Sequence, residues 1–215
     1  MNLFIFYRHN SGEEHMFLHN PFAISYAFNP QAQEIHGEPG IFLGFATMSS
    51  LLNIARMINA EWGNRFQTDC SGKLCSQKVA VCGMFNHSLG GKTHFITYNI
   101  ISENGESCEM YTNAWTALCN AFHLLMTTYK PCGGGKNCAT CCSFLAVSLH
   151  PQTQELLKNP EFIATKKIPA DSFLSDNHKG AHKFILDQGI RKDQCFSHAA
   201  GNYYYFMYEF LLNDV

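Results

Sequence analysis

The chain has 215 residues, of which 46% are hydrophobic and only 15% charged, so it can build one sizeable core and is not a disordered chain. Its net charge of −2 and a pI near 6.6 exclude a strongly basic, non-specific phosphate-binding surface and favour a small-molecule substrate over long nucleic acid. No apolar stretch reaches the roughly 20 residues of a membrane span, and Met1 to Asn10 lacks the basic lead-in and cleavage site of a signal peptide. A cytoplasmic location is expected, or delivery into a host cytosol by a non-classical route.

Residues 1–46 read as β-rich, with Leu3 to Tyr7 a short apolar run, Phe22 to Phe28 alternating, and Ile41 to Phe45 following the turn-forming Glu38-Pro39-Gly40. Thr47 to Ala60 reads as a helix, capped by Thr47 or Ser49, with Met48, Leu51, Leu52, Ala55 and Ile58 on one face. Gln67 to Gln77 reads as a polar loop. Val79 to Phe85 and His94 to Ile101 read as a hairpin joined through Gly90-Gly91. Ser102 to Glu106 reads as a turn, and the next helix carries Met110, Ala114, Ala117, Leu118 and Ala121 at helical spacing. His123 to Tyr129 reads as a short strand stopped by Lys130-Pro131, and Cys138 to Leu149 as a helix ended with the help of Pro151. Phe162 to Ile168 reads as a strand, Asn177 to Gln188 as a helix, and Tyr203 to Leu212 as a final strand or buried helix. The alternation from Thr47 onward predicts a three-layer α/β domain over 47–215, with the β-rich segment 1–46 packed on it.

Ten cysteines are present. Without a signal peptide, and with ample apolar material for a core, reduced thiols serving as metal ligands, a nucleophile or buried fillers are favoured over a disulfide framework. Cys138-Ala-Thr-Cys141 opens a predicted helix. Two thiols at that spacing can face one ion, and the helix N-terminus favours the thiolate. A redox dithiol uses the same spacing. A second cysteine-bearing helix start lies upstream, at Cys108-Glu109.

With these elements the chain resembles the zinc-dependent cytidine/adenosine deaminase superfamily, whose pattern is a hairpin, a helix opening with His/Cys-x-Glu, a strand, and Pro-Cys-x-x-Cys opening another helix. Leu125 to Cys132 resembles the strand leading into the Pro-Cys element. Asn137 to Val147 resembles the helix that starts on the paired ligands, and Thr97 to Ser102 resembles the second hairpin strand. The resemblance covers about residues 47–190. It implies a three-layer αβα domain with a mixed central sheet and hydrolytic deamination of a nucleobase, nucleoside or nucleotide. It further implies Zn2+ held by ligands drawn from Cys108, Cys132, Cys138 and Cys141, with Glu109 moving the proton and Asn99 binding substrate. Two placements stay open. No residue separates Cys108 from Glu109, so either Ser107 or Cys108 takes the upstream ligand position. Either Cys132 is the first downstream ligand with the glycines inserted, or Cys138 pairs with Cys141 on one helix turn and Cys132 stands outside; the second arrangement is favoured.

Two other readings compete with deamination. Cys108 with His94 could form an activated thiol, oriented by Asn99 or Glu109, in an effector-like hydrolase or transferase. Alternatively the cysteines hold zinc in a non-catalytic interaction protein. Local chemistry explains the remaining features. His36-Gly37-Glu38 reads as a turn, and Cys70, Cys75 and Cys82 as buried thiols more than a second metal cluster. Cys119, Trp62 and Trp115 read as packing residues. Gly133 to Lys136 lacks the Gly-Lys-Ser/Thr ending of a phosphate loop, and Tyr203 to Phe206 reads as a buried element.

Overall fold

The computed structural model describes residues 7–8, 14–15, 22–29, 40–60, 64–71, 80–87, 93–101, 108–132, 138–175 and 179–194. The expectations for Leu3 to Phe6, the His36 turn, Trp62, Cys75, the 102–106 turn, Gly133 to Lys136 and the 203–212 element lie outside them.

Two short strands, β1 (Tyr7–Arg8) and β2 (Glu14–His15), pair antiparallel in a sheet of their own. Seven more, β3 (Phe22–Asn29), β4 (Gly40–Ala46), β5 (Arg65–Ser71), β6 (Ala80–His87), β7 (Thr93–Ile101), β8 (Ser172–Ser175) and β9 (Arg191–Gln194), form one sheet. Its spatial order is β3-β4-β7-β6-β5-β8-β9. Pairing is antiparallel from β3 through to β5, and β5, β8 and β9 run parallel. The sheet is therefore mixed, and the β6–β7 hairpin forms as its sequence predicts. Strands β3 and β4, from the N-terminal segment, belong to this same sheet.

Among the described residues six helices accompany it: α1 (Met48–Asn59), α2 (Cys108–Thr128), α3 (Ala139–Ser148), α4 (Pro151–Lys158), α5 (Pro160–Thr165) and α6 (Lys179–Asp187). Thr47 caps α1, accepting from the Ser50 amide at 3.0 Å, while the Ser50 hydroxyl accepts from the Thr47 amide at 3.0 Å. This reciprocal cap satisfies two donors that a bare helix end leaves unpaired. The predicted α1 stripe of Met48, Leu51, Leu52 and Ala55 is fully buried, with Ile58 packed at its edge.

Among the described residues α1, α2 and α6 touch the sheet, and α2 contacts both of the others. Phe66 of β5 and Phe173 of β8 stack at 5.8 Å, and both meet Trp115 of α2 edge-on, at 5.0 and 5.4 Å. Phe184 of α6 closes the group against Phe173 at 5.4 Å. Rings at these separations add about 0.5–1.5 kcal/mol per pair beyond simple burial. Helix α1 contacts both α2 and β7, whereas α3 and α4 rest on α1 as an outer tier. Asn59 ties that tier down, since its amide donates to the Val147 carbonyl at 3.3 Å and its carbonyl accepts from the buried Thr153 hydroxyl at 2.7 Å. Another polar clasp sets the parallel register. The Asn64 amide donates to the Asp171 carboxylate, and the Asp171 amide returns to the Asn64 carbonyl at 2.9 Å, beside the Arg65–Ser172 pair.

Three sequence expectations are corrected. His123 to Thr128 is the last turn and a half of α2, not a strand, because Leu118, Ala121, Phe122, Leu125 and Met126 keep one helical face buried. Thr127 and Thr128 fit that helix by donating to the carbonyls four residues back, both at 2.7 Å. Phe162 to Ile168 is not a strand: α5 occupies its first half, started by Asn159, whose side chain accepts from the Glu161 and Phe162 amides, and by Pro160 at the first helical position. Residues 67–71 are strand and not loop, with Phe66 and Thr68 buried and Arg65 exposed in a period of two.

Candidate metal centre

The site forms where α2 stops and α3 starts. Pro131 has no amide hydrogen to donate and disfavours helix in the residue before it, so α2 ends and the chain turns at Tyr129 to Cys132. The Tyr129 ring packs edge-on against Phe144 of α3 with centroids 4.8 Å apart, which brings the end of one helix onto the start of the next. Cys138 is the N-cap of α3, in extended backbone conformation, and its sulfur accepts from the Cys141 amide at 3.4 Å. A cysteine thus occupies the position usually given to Ser, Thr, Asp or Asn. The cap points Cys138 inward, and the first helical turn brings Cys141 beside it.

Cys132 completes the group. Its amide donates to the Cys141 sulfur at 3.1 Å, and the Cys132 and Cys141 sulfurs stand 3.3 Å apart. The sulfurs of Cys132, Cys138 and Cys141 all lie within 4.8 Å of one another, close enough to hold a metal ion. Zinc–sulfur bonds of about 2.3 Å in tetrahedral geometry require sulfurs roughly 3.8 Å apart, so the spacing suits such an ion with little movement. Cys138 and Cys141 are 5% and 1% exposed, and Cys132 is half-buried.

Burial and hydrogen bonding act on these sulfurs in opposite directions. Burial alone raises a thiol, yet Cys138 falls below its ordinary value because the Cys141 amide and the neighbouring Cys141 and Cys132 thiols hydrogen-bond to its sulfur. Cys141 is pushed up to about 11, first by burial. Without metal the neighbouring Cys138 and Cys141 thiols titrate as a coupled pair. A divalent cation held by these thiols would displace their protons. The Tyr129 hydroxyl lies 3.5 Å from the Cys141 sulfur, and burial followed by that contact raises the phenol well above its usual range. Tyr129 and the Cys132 amide are thus partners of the Cys141 sulfur, of the kind that would orient and tune it as a metal ligand.

The structure brings together Cys132, Cys138 and Cys141 from the sequence candidates. Cys132 belongs with the pair, whereas spacing alone favoured leaving it outside. Cys108 and Glu109 stand elsewhere, on the first turn of a helix of 21 residues. At about 1.5 Å per residue α2 carries its far end roughly 30 Å away, and the four residues onward to Cys132 can recover at most about 14 Å. Aromatic contacts confirm the separation: Tyr111 near the start of α2 stacks on Phe184 of α6, while Tyr129 beyond its end packs on α3. The Cys108 thiol donates to Asp187 at 3.6 Å, and Asp187 in turn pairs with Lys183 at 2.7 Å. Glu109 is exposed. Asn99 and His94 lie on β7, Asn99 opposite Gly44 and Cys82, and His94 opposite Asn86. Ser107 lies outside the described residues.

Sequence reasoning missed Tyr129 because it treated 123–129 as a strand. Its signal was an aromatic hydroxyl three residues before a cysteine at a helix end. Cys119 and Trp115 are buried core residues, as expected. Cys70 and Cys82 are backbone register partners in the β5–β6 pairing. A cleft of about 250 Å³ opens between α5, residues 167–170 and the turn from Gln188 to Ile190, and none of the three clustered cysteines lines it. No family model, curated protein or solved structure matches the chain. None of the described helices is long and apolar enough to cross a membrane.

Proposed function

We propose that the chain is a zinc-binding protein in which Cys132, Cys138 and Cys141 hold one ion that locks α3 onto the end of α2, and that this centre is non-catalytic. The observation that carries this reading is the convergence of three thiols at one helix junction. Thiolate donors select soft or borderline ions such as zinc over magnesium or calcium. Amide donors already aimed at two of the sulfurs, at 3.1 and 3.4 Å, favour the thiolate form that a metal needs. Among the described residues three ligands gather, and a fourth position filled by water or by a side chain of a binding partner would make an interaction role the natural companion of the site.

Deamination asks for more than the cluster offers. It needs a carboxylate beside the metal-bound water to move protons, and Glu109, which the family resemblance assigns to that task, stands at the opposite end of α2. The thiol-enzyme reading draws on Cys108, whose partner is the carboxylate of Asp187. Metal analysis of protein purified without added zinc tests the proposal. It expects near-stoichiometric zinc, lost in Cys138→Ser and Cys141→Ser and unchanged in Cys108→Ser and Glu109→Ala. Metal-free wild-type protein that takes up no added zinc would sink it. Zinc-dependent release of ammonia from cytidine, adenosine or guanine, abolished by Glu109→Ala, would restore deamination in its place.

A further inference from the structure

We infer that Cys132 and Cys141 form a reversible disulfide driven by peroxide, so that the centre is a redox-sensitive latch as well as a metal site. The disulfide follows from the sulfur geometry alone, while the loss of metal that it causes rests on the zinc reading. The two sulfurs stand 3.3 Å apart, and a disulfide bond of about 2.05 Å requires them to close by only about 1.3 Å. The Cys132 amide already touches the Cys141 sulfur, so backbone and side chain are arranged together. Exposure assigns the order of events. Cys132 is half-buried and within reach of a small oxidant, whereas Cys141 is 1% exposed.

In the first step the Cys132 thiolate attacks one oxygen of hydrogen peroxide, breaking the O–O bond, giving a sulfenic acid and releasing hydroxide. In the second, the Cys141 thiolate attacks the Cys132 sulfur, the S–S bond forms and the S–O bond breaks, releasing a second hydroxide. Two electrons leave the thiolate pair, and with two protons the peroxide becomes two waters. Cys138 remains as the single thiolate. One monodentate ligand cannot hold an ion that three held, so the metal leaves and the junction of α2 and α3 is joined by a covalent bond instead. A dithiol reductant reverses the step by exchange.

The test treats zinc-loaded and metal-free full-length protein with stoichiometric hydrogen peroxide, counts zinc released to a chromogenic chelator, and maps disulfides by mass spectrometry without reduction. The expected result is a Cys132–Cys141 cross-link in both samples, with one zinc released per cross-link and recovered by dithiothreitol treatment. Cys108→Ser should behave as wild type, and Cys132→Ser should yield no cross-link to Cys141. A cross-link formed in protein that never binds zinc would support the disulfide while overturning the metal reading. Zinc-loaded protein whose Cys132 and Cys141 stay unlinked, or whose linkage joins Cys138 to Cys141, would overturn the inference and leave the metal reading intact.

Discussion

Cys141 concentrates the chemistry of this protein in one atom. Its sulfur meets the Cys132 amide, the Cys132 sulfur and the Tyr129 hydroxyl within 3.5 Å. Tyr129→Phe removes the hydroxyl and keeps the ring on Phe144. It should therefore weaken zinc binding about 10-fold, as loss of an outer hydrogen bond commonly does, measured by competition with a chelator of known affinity. Cys119 shows the opposite use of the same residue type. Burial among apolar neighbours raises its pKa from 9.0 to about 12, so folding favours the neutral thiol. A group whose folded pKa lies above its unfolded value contributes fully below the unfolded value and loses that contribution as pH rises toward the folded one. The window is therefore pH 9 to about 12. Stability in denaturant should fall across it, and Cys119→Ala should flatten part of that fall while costing about 1 kcal/mol at neutral pH through the small cavity left. An alkaline loss of equal size in both proteins would count against this assignment.

Among the elements, α2 organises the molecule. Trp115 from its middle is 2% exposed and touches Phe66, Phe173 and Phe184, so Trp115→Ala should cost about 3–5 kcal/mol in chemical denaturation. Thr153 of α4 gives a smaller, cleaner effect. Thr153→Val keeps the shape but leaves the Asn59 carbonyl without its 2.7 Å donor, for an expected loss of about 1–3 kcal/mol. Periodicity alone makes α1, the β6–β7 hairpin and the start of α2 legible, because Met48, Leu51, Leu52 and Ala55 or Met110, Ala114 and Leu118 repeat at helical spacing without interruption. The end of α2 was not legible. Leu124-Leu125-Met126-Thr127-Thr128 is an apolar run finished by β-branched residues, and such a run is ambiguous until its burial partners are known. In α5 the Asn159-Pro160-Glu161 start signal was present but outweighed by Phe162 and Ile163. The Cys138–Cys141 pair was readable from spacing and from its place at a helix start. Cys132 was not, since its membership depends on how the Tyr129 turn folds back, and Glu109 was drawn toward the site by a motif that the length of α2 keeps apart from it.

At the scale of the whole molecule, a mixed seven-stranded sheet carries a layer of α1, α2 and α6, and the candidate metal centre sits where the outer tier of α3 and α4 joins that layer. This placement predicts an uneven response to metal removal. An ion held by the folded junction and not by the unfolded chain stabilises the fold, so on the proposed reading stripping it should lower the melting temperature. Hydrogen exchange should accelerate first in residues 138–149, while β5 and β8, clasped by Asn64 and Asp171 and covered by Trp115, keep their protection. Uniform acceleration across sheet and helices would mean that the ion supports the fold as a whole. The most direct test of the three-thiol centre is a cobalt(II) titration followed by its sulfur-to-metal charge-transfer absorption, whose intensity scales with the number of thiolate ligands. The account predicts saturation at about one cobalt per chain with the intensity of three thiolates and tetrahedral visible bands, falling by about a third in Cys132→Ser. A wild-type protein without the band, or a band that survives unchanged in Cys132→Ser and Cys141→Ser, would contradict it.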